Sequence, residues 1–225
     1  MAKSFLSRIA KGIKQELKRR RMREIFTDIY LNNKWKDAES RSGPGSNQEQ
    51  TATLKTELPA MLRQLEVKSL LDIPCGDFAW MQAVELPVER YIGADIVQDV
   101  ADSNRRSYGS PARDFVCLDL TKDNLPQVDM VFCRDCLVHL PLKDIALALR
   151  NIRRSKAQFV ALTTFTEFGD NEDIVSPGKW RKLNLVRAPF FLPPPVLLLD
   201  EKSPAAPDKH LGVWRVADLP ERYEV

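Results

Sequence analysis

Ionisable side chains stand directly after short apolar runs at four points in this chain, where a parallel sheet would gather them at one edge beside a ligand crevice. Residues 69–81 read SLLDIPCGDFAWM. A buried strand ends there in Asp72, a turn through Cys75 and Gly76 follows, and a helix is expected after Asp77. Gly76 lacks a Cβ, so backbone can approach a ligand, and the amides of a following helix end can receive an anionic group. A second apolar run ends in GAD, placing Asp95 23 residues after Asp72, where an acidic side chain can accept from both ribose hydroxyls. A third ends in CLDLT, with Asp119 placed to accept from a base amino group. A fourth ends in CRDCLVHLP, which sets Arg134, Asp135 and His139 at the same edge. His139 follows Asp135 by four residues, so on a helical turn the carboxylate could orient the imidazole, and either group could take a proton from a hydroxyl. His210 is a weaker candidate for the same work.

The glycine content of the first turn restricts the ligand. A dinucleotide fingerprint has three glycines as GxGxxG, and PCGDF has one, which argues against a diphosphate crossing the turn. A carboxylate and an ammonium need less exposed backbone. Carboxylates at strand ends also cap turns, so each of these aspartates carries a purely structural alternative.

The elements needed to position these residues follow from periodicity. Strands are expected at 68–73, 91–96, 115–118, 129–133 and 158–163, and helices at 51–65, 78–85, 97–106 and 143–153, the last with Ile145, Leu149 and Ile152 inward. That alternation predicts an α/β fold: a Rossmann-like, seven-stranded, mostly parallel sheet with helices on both faces. Two late runs, 196–200 and 212–216, complete it as an antiparallel C-terminal hairpin. A chain of 225 residues accommodates one such domain, expected over 31–225, with an arm over 1–30.

The arm is distinctive in charge. Residues 1–24 hold nine Lys and Arg against two Glu, a net of +7, so the rest carries −4 of the chain's +3. Apolar residues from Phe5 to Tyr30 recur at helical spacing between these cations. Such a basic amphipathic helix can pack its stripe on the domain or meet an anionic membrane surface through 1–24. The acidic body gives no reason to expect nucleic acid. Cys133 and Cys136 form a CxxC without a second ligand pair, so no metal is expected and the four cysteines read as reduced thiols. No signal peptide is evident, and a cytoplasmic location, with peripheral contact at the inner membrane face as a variant, is the expectation.

Taken together, the turn LDIPCGDF, the segment holding Trp35, Glu39, Ser40, Ser42, Gly43, Gly45 and Ser46, and the tract WRKLNLVRAPFFLPPP resemble a bacterial group of class I S-adenosylmethionine (SAM)-dependent methyltransferases over roughly residues 30–220. The resemblance implies Asp72 and Gly76 beside the amino-acid portion of SAM, Asp95 beside the ribose and Asp119 beside the adenine. Trp35, Ser42, Gly43, Ser46, Cys75, Leu120 and Arg134 complete the expected cofactor set. The SGPGS segment would fold over the cofactor as a lid, with Ser42 or Ser46 donating to its carboxylate. Trp180, Arg181 and Asn184 are expected to bind a small-molecule or glycan acceptor, methylated at oxygen. The alternatives are a protein or nitrogen acceptor, or a non-catalytic SAM-binding module docked by its arm. CRDC is not the tetrapeptide of a DNA amino-methyltransferase.

Overall fold

A computed structural model describes residue 17 and residues 21–225. Most of the basic arm expected to meet a membrane therefore lies outside the described residues. Residues 21–31 form helix α1. Then follow α2 (Ala52–Gln64), β1 (Ser69–Asp72), β2 (Arg90–Asp95), α3 (Gln98–Tyr108), β3 (Arg113–Cys117), β4 (Met130–Cys133), α4 (Leu142–Ser155), β5 (Phe159–Phe165), β6 (Leu197–Asp200) and β7 (Lys209–Arg215).

The strands form one sheet in the order β3-β2-β1-β4-β5-β7-β6. The first five are parallel, while β7 runs antiparallel between β5 and β6. The seven-stranded sheet and terminal hairpin are as expected, with β6 on the outer edge. Strand periodicity sorts the core into two layers. Leu71, Ile92, Val131, Val160 and Leu162 face one way, with Ile145, Leu149 and Ile152 of α4 packed on them. Leu70, Tyr91, Met130, Phe132 and Phe159 face the other, under Leu54, Leu58, Met61 and Leu62 of α2. Each fully buried side chain of this kind contributes roughly 1.5–3 kcal/mol.

The helix expected over 78–85 does not form. Phe78 adopts a left-handed backbone, φ 59°, which a right-handed helix cannot propagate through, and only a 3-10 turn at Met81–Ala83 follows. The segment instead buries its rings: Phe78 packs against Tyr91, Tyr108 and Phe115 at 5.1–5.4 Å between centroids. No helix end therefore presents amides at Asp77. Over its described part, α1 packs its apolar side on the domain. Met22 is buried in the α4-side core, Phe26 packs against it, and Ile29 lies so near Gly178 that a Cβ there would come within 2.6 Å of it. Among the described residues no helix is long and apolar enough to cross a membrane.

Candidate active site

The strand order reverses between β1 and β4, and a cleft of about 530 Å³ opens there, where an open α/β sheet has its ligand crevice. Asp72, Asp95 and Asp119, from the ends of β1 and β2 and just beyond β3, all line it. Asp72 accepts a 2.6 Å hydrogen bond from the Tyr91 hydroxyl. Burial pushes its carboxyl up to about 7; Tyr91 and Arg134 pull against that rise and Asp95 adds to it. Asp95 accepts from the amides of Val97 at 2.9 Å and Gly76 at 3.2 Å, and burial still raises it to about 6. Asp119 accepts from the amide and hydroxyl of Thr121 at 2.9 and 2.6 Å, so part of its capacity caps a turn. Leu120 and Cys75 line the same side.

The segment holding SGPGS folds over this turn. Gly76 has φ +53°, and a Cβ on it would meet Ser42 Oγ at 2.2 Å, so the close approach of loop and turn demands glycine. Ser42 Oγ accepts from the Asp77 amide at 2.9 Å, while the Asp77 carboxylate accepts from the Ser40 hydroxyl and, at 2.8 Å, from the Arg41 amide. Asp37 and Glu39 brace the loop from within by accepting from the amides of Ser40 and Gln48. Gly43 sits against Trp35, where a Cβ would come within 3.1 Å of the ring. Ser46 closes a 3-10 turn and lines the cleft.

Beyond β4 the charges are paired. Arg134, 6% exposed, donates to Glu201 at 2.7 Å and to the Gly45 carbonyl at 2.8 Å, and lies over the Trp80 ring. Asp135 takes a left-handed backbone, its amide bonded to Thr163 Oγ1 at 2.8 Å. Its Oδ2 accepts from Lys209 at 2.6 Å and lies 3.2 Å from Arg134. Burial alone would raise this carboxyl, but Lys209 and then Arg134 hold it at about 2. Its Oδ1 is buried with no hydrogen-bond partner.

His139 is half-buried and stacked on Trp35, ring centroids 4.8 Å apart. Burial lowers its pKa, against the opposing field of Asp135. Its Nδ1 lies 3.2 Å from the Lys179 carbonyl. A carbonyl only accepts, so in the neutral ring Nδ1 carries the hydrogen and Nε2 the lone pair. The expected Asp135–His139 orientation is not realised: the carboxylate is engaged by Lys209 and the imidazole by a backbone carbonyl.

The acceptor residues expected from sequence divide. Trp180 lines the cleft, half exposed, edge-on to Phe165 at 5.9 Å. Arg181 instead gives its guanidinium to the carbonyls of Val138, Leu140 and Glu172 at 2.6–2.9 Å. Asn184 is buried and bonds the carbonyls of Phe168 and Thr166. Both shape the loop after β5, and neither reaches the cleft wall. Lys209 and Glu201, central to the charge pairing, give no sequence signal, since each meets Arg134 or Asp135 only through the fold. Tyr91 is likewise identifiable only as a strand residue until register places it beside Asp72.

Comparison with known proteins accords with this geometry. The family described as "Methyltransferase domain" matches residues 71–157, from β1 past the end of α4. No curated protein matches the sequence. Among solved structures, the PH0226 protein of Pyrococcus horikoshii OT3 is similar at a TM-score of 0.55 and 16% identity, covering 76% of this chain and 93% of that one. Human N-acetylserotonin methyltransferase, solved with SAM, is similar at a TM-score of 0.52 and 12% identity over 76% of this chain, which spans only 52% of the human enzyme. The chain thus carries a class I SAM-dependent methyltransferase fold.

Proposed function

We propose that this chain binds SAM and transfers its methyl group to an oxygen of a small acceptor. The observation that carries the reading is the convergence of Asp72, Asp95 and Asp119 on one cleft with His139. Three carboxyl groups suit a ligand bearing an ammonium and a sulfonium, and would repel the diphosphate of a dinucleotide. Gly76 lets the Ser42 loop close onto the turn, and Asp95, the last residue of β2, would take ribose hydroxyls in exchange for its amide bonds.

Bound SAM supplies a methyl carbon already activated by its sulfonium, so the protein's contribution is position, a dry site and a proton acceptor. The loop over 40–46 lies on the turn, and its position there would limit water at the site. His139 is the base we favour: burial lowers its pKa, and Nε2 would receive the acceptor's hydroxyl proton as the oxygen–carbon bond forms and the carbon–sulfur pair stays with sulfur. Asp135, held ionised by Lys209 and Arg134, is too weak a base for that step.

Calorimetric titration with SAM and separately with NAD tests the cofactor; saturable binding of SAM alone is expected, and its absence would sink the reading. His139→Ala should lower turnover about 100-fold or more, read as S-adenosylhomocysteine release across an acceptor panel, with SAM affinity nearly unchanged. A fully active variant would remove His139 from the mechanism.

A further inference from the structure

Resting on the methyl-transfer reading, we infer that the acceptor is a flat, largely apolar ring system bearing one hydrogen-bond donor besides the hydroxyl that is methylated, and not a polyhydroxylated sugar. The cleft walls away from the strand-end carboxylates are aromatic. Phe26 meets Trp35 edge-on at 6.4 Å, Trp35 stacks on His139, and Phe165 and Trp180 form an edge-on pair at 5.9 Å. Rings offer faces for stacking, and their quadrupoles favour another ring at 4.5–7 Å.

Several polar groups beside these walls are committed. A desolvated sugar needs a partner for nearly every hydroxyl, since each one left unsatisfied costs binding. Arg181 and Asn184, the residues suited to that work, spend their donors on backbone carbonyls. Ser203 donates to Gln50, and Lys209 is taken by Asp135, with Glu201 3.4 Å away. Asp135 Oδ1 is different: it has no partner and belongs to a side chain that lines the cleft, although the atom itself is shielded. An acceptor O–H or N–H that displaces that cover would satisfy it. Asp135 then positions the acceptor while His139 handles the proton.

The test uses the full-length protein with S-adenosylhomocysteine present, titrated with dihydroxynaphthalene and with maltose, while SAM binding is measured in parallel. Saturable binding of dihydroxynaphthalene and none of maltose is expected. Trp180→Ala, at a half-exposed position where folding is not at stake, should weaken naphthalene-diol binding about tenfold and leave SAM affinity unchanged. Maltose binding without ring binding, no binding of either, or an unaffected Trp180→Ala variant would overturn the inference. Loss of SAM binding would instead sink the methyl-transfer reading, so the two failures are distinct.

Discussion

The two sides of the cleft are built by opposite means. On the β1–β3 side, carboxylates stand where strands stop, and their partners are close in sequence or one strand away: Asp95 with Val97 and Gly76, Asp119 with Thr121, Asp72 with Tyr91. On the β4–β7 side, Arg134 reaches Glu201 across 67 residues and Lys209 reaches Asp135 across 74. The electrostatic result is also opposite. Asp72, buried with a hydroxyl for company, rises to about 7, whereas Asp135, buried beside two cations, falls to about 2. Burial by itself does not set a carboxyl's charge; what it is buried with does.

The contrast is broken most severely by Lys209→Met. It would leave Asp135 and Glu201 buried with Arg134 alone, and the expected loss is about 3 kcal/mol or more of unfolding free energy, read by urea denaturation. A loss below about 1 kcal/mol would mean the long-range pairing does not hold that side together. Gly76→Ala attacks the local side. The added Cβ has no room beside Ser42 and φ +53° is strained for alanine, so a loss of about 1–3 kcal/mol and faster proteolysis within 37–51 are expected. Unchanged proteolysis would detach the loop from the turn.

The gentlest probe is Tyr91→Phe, followed by stability against pH. A carboxyl raised on folding contributes fully below its unfolded value of about 4 and loses that contribution as pH climbs through its folded value, about 7 for Asp72. Tyr91 favours the ionised form, so its removal should extend the decline to higher pH. Asp135 runs the other way: its contribution holds above about 4 and fades as pH falls toward about 2. A Tyr91→Phe profile superimposable on that of the parent would separate Asp72 from the decline between about pH 4 and 7.

Much of the first side was legible in the sequence because strand ends are local events: an apolar run, then Asp72, Asp95 or Asp119. The sheet followed from the same runs, and Ile145, Leu149 and Ile152 landed inward on α4 as their spacing required. The helix after Asp77 misled because Phe78, Trp80 and Met81 carry an amphipathic look, while the left-handed turn at Phe78 is imposed by ring packing against β2, α3 and β3. By type alone, Arg181 and Asn184 suit a ligand's hydroxyls. Their actual partners are carbonyls of a long loop with little regular structure, a demand that arises only once that loop is folded.

The loop between Asp37 and Thr51 behaves as a bivalent ligand of its own domain. Asp77 grips one end through Ser40 and Arg41, and Arg134 grips the other through the Gly45 carbonyl. Each grip alone is a few ordinary hydrogen bonds, but while either holds, the other is presented at high effective concentration and re-forms. Full release of the loop therefore requires both to let go together. Weakening one grip should free the loop far less often than weakening both.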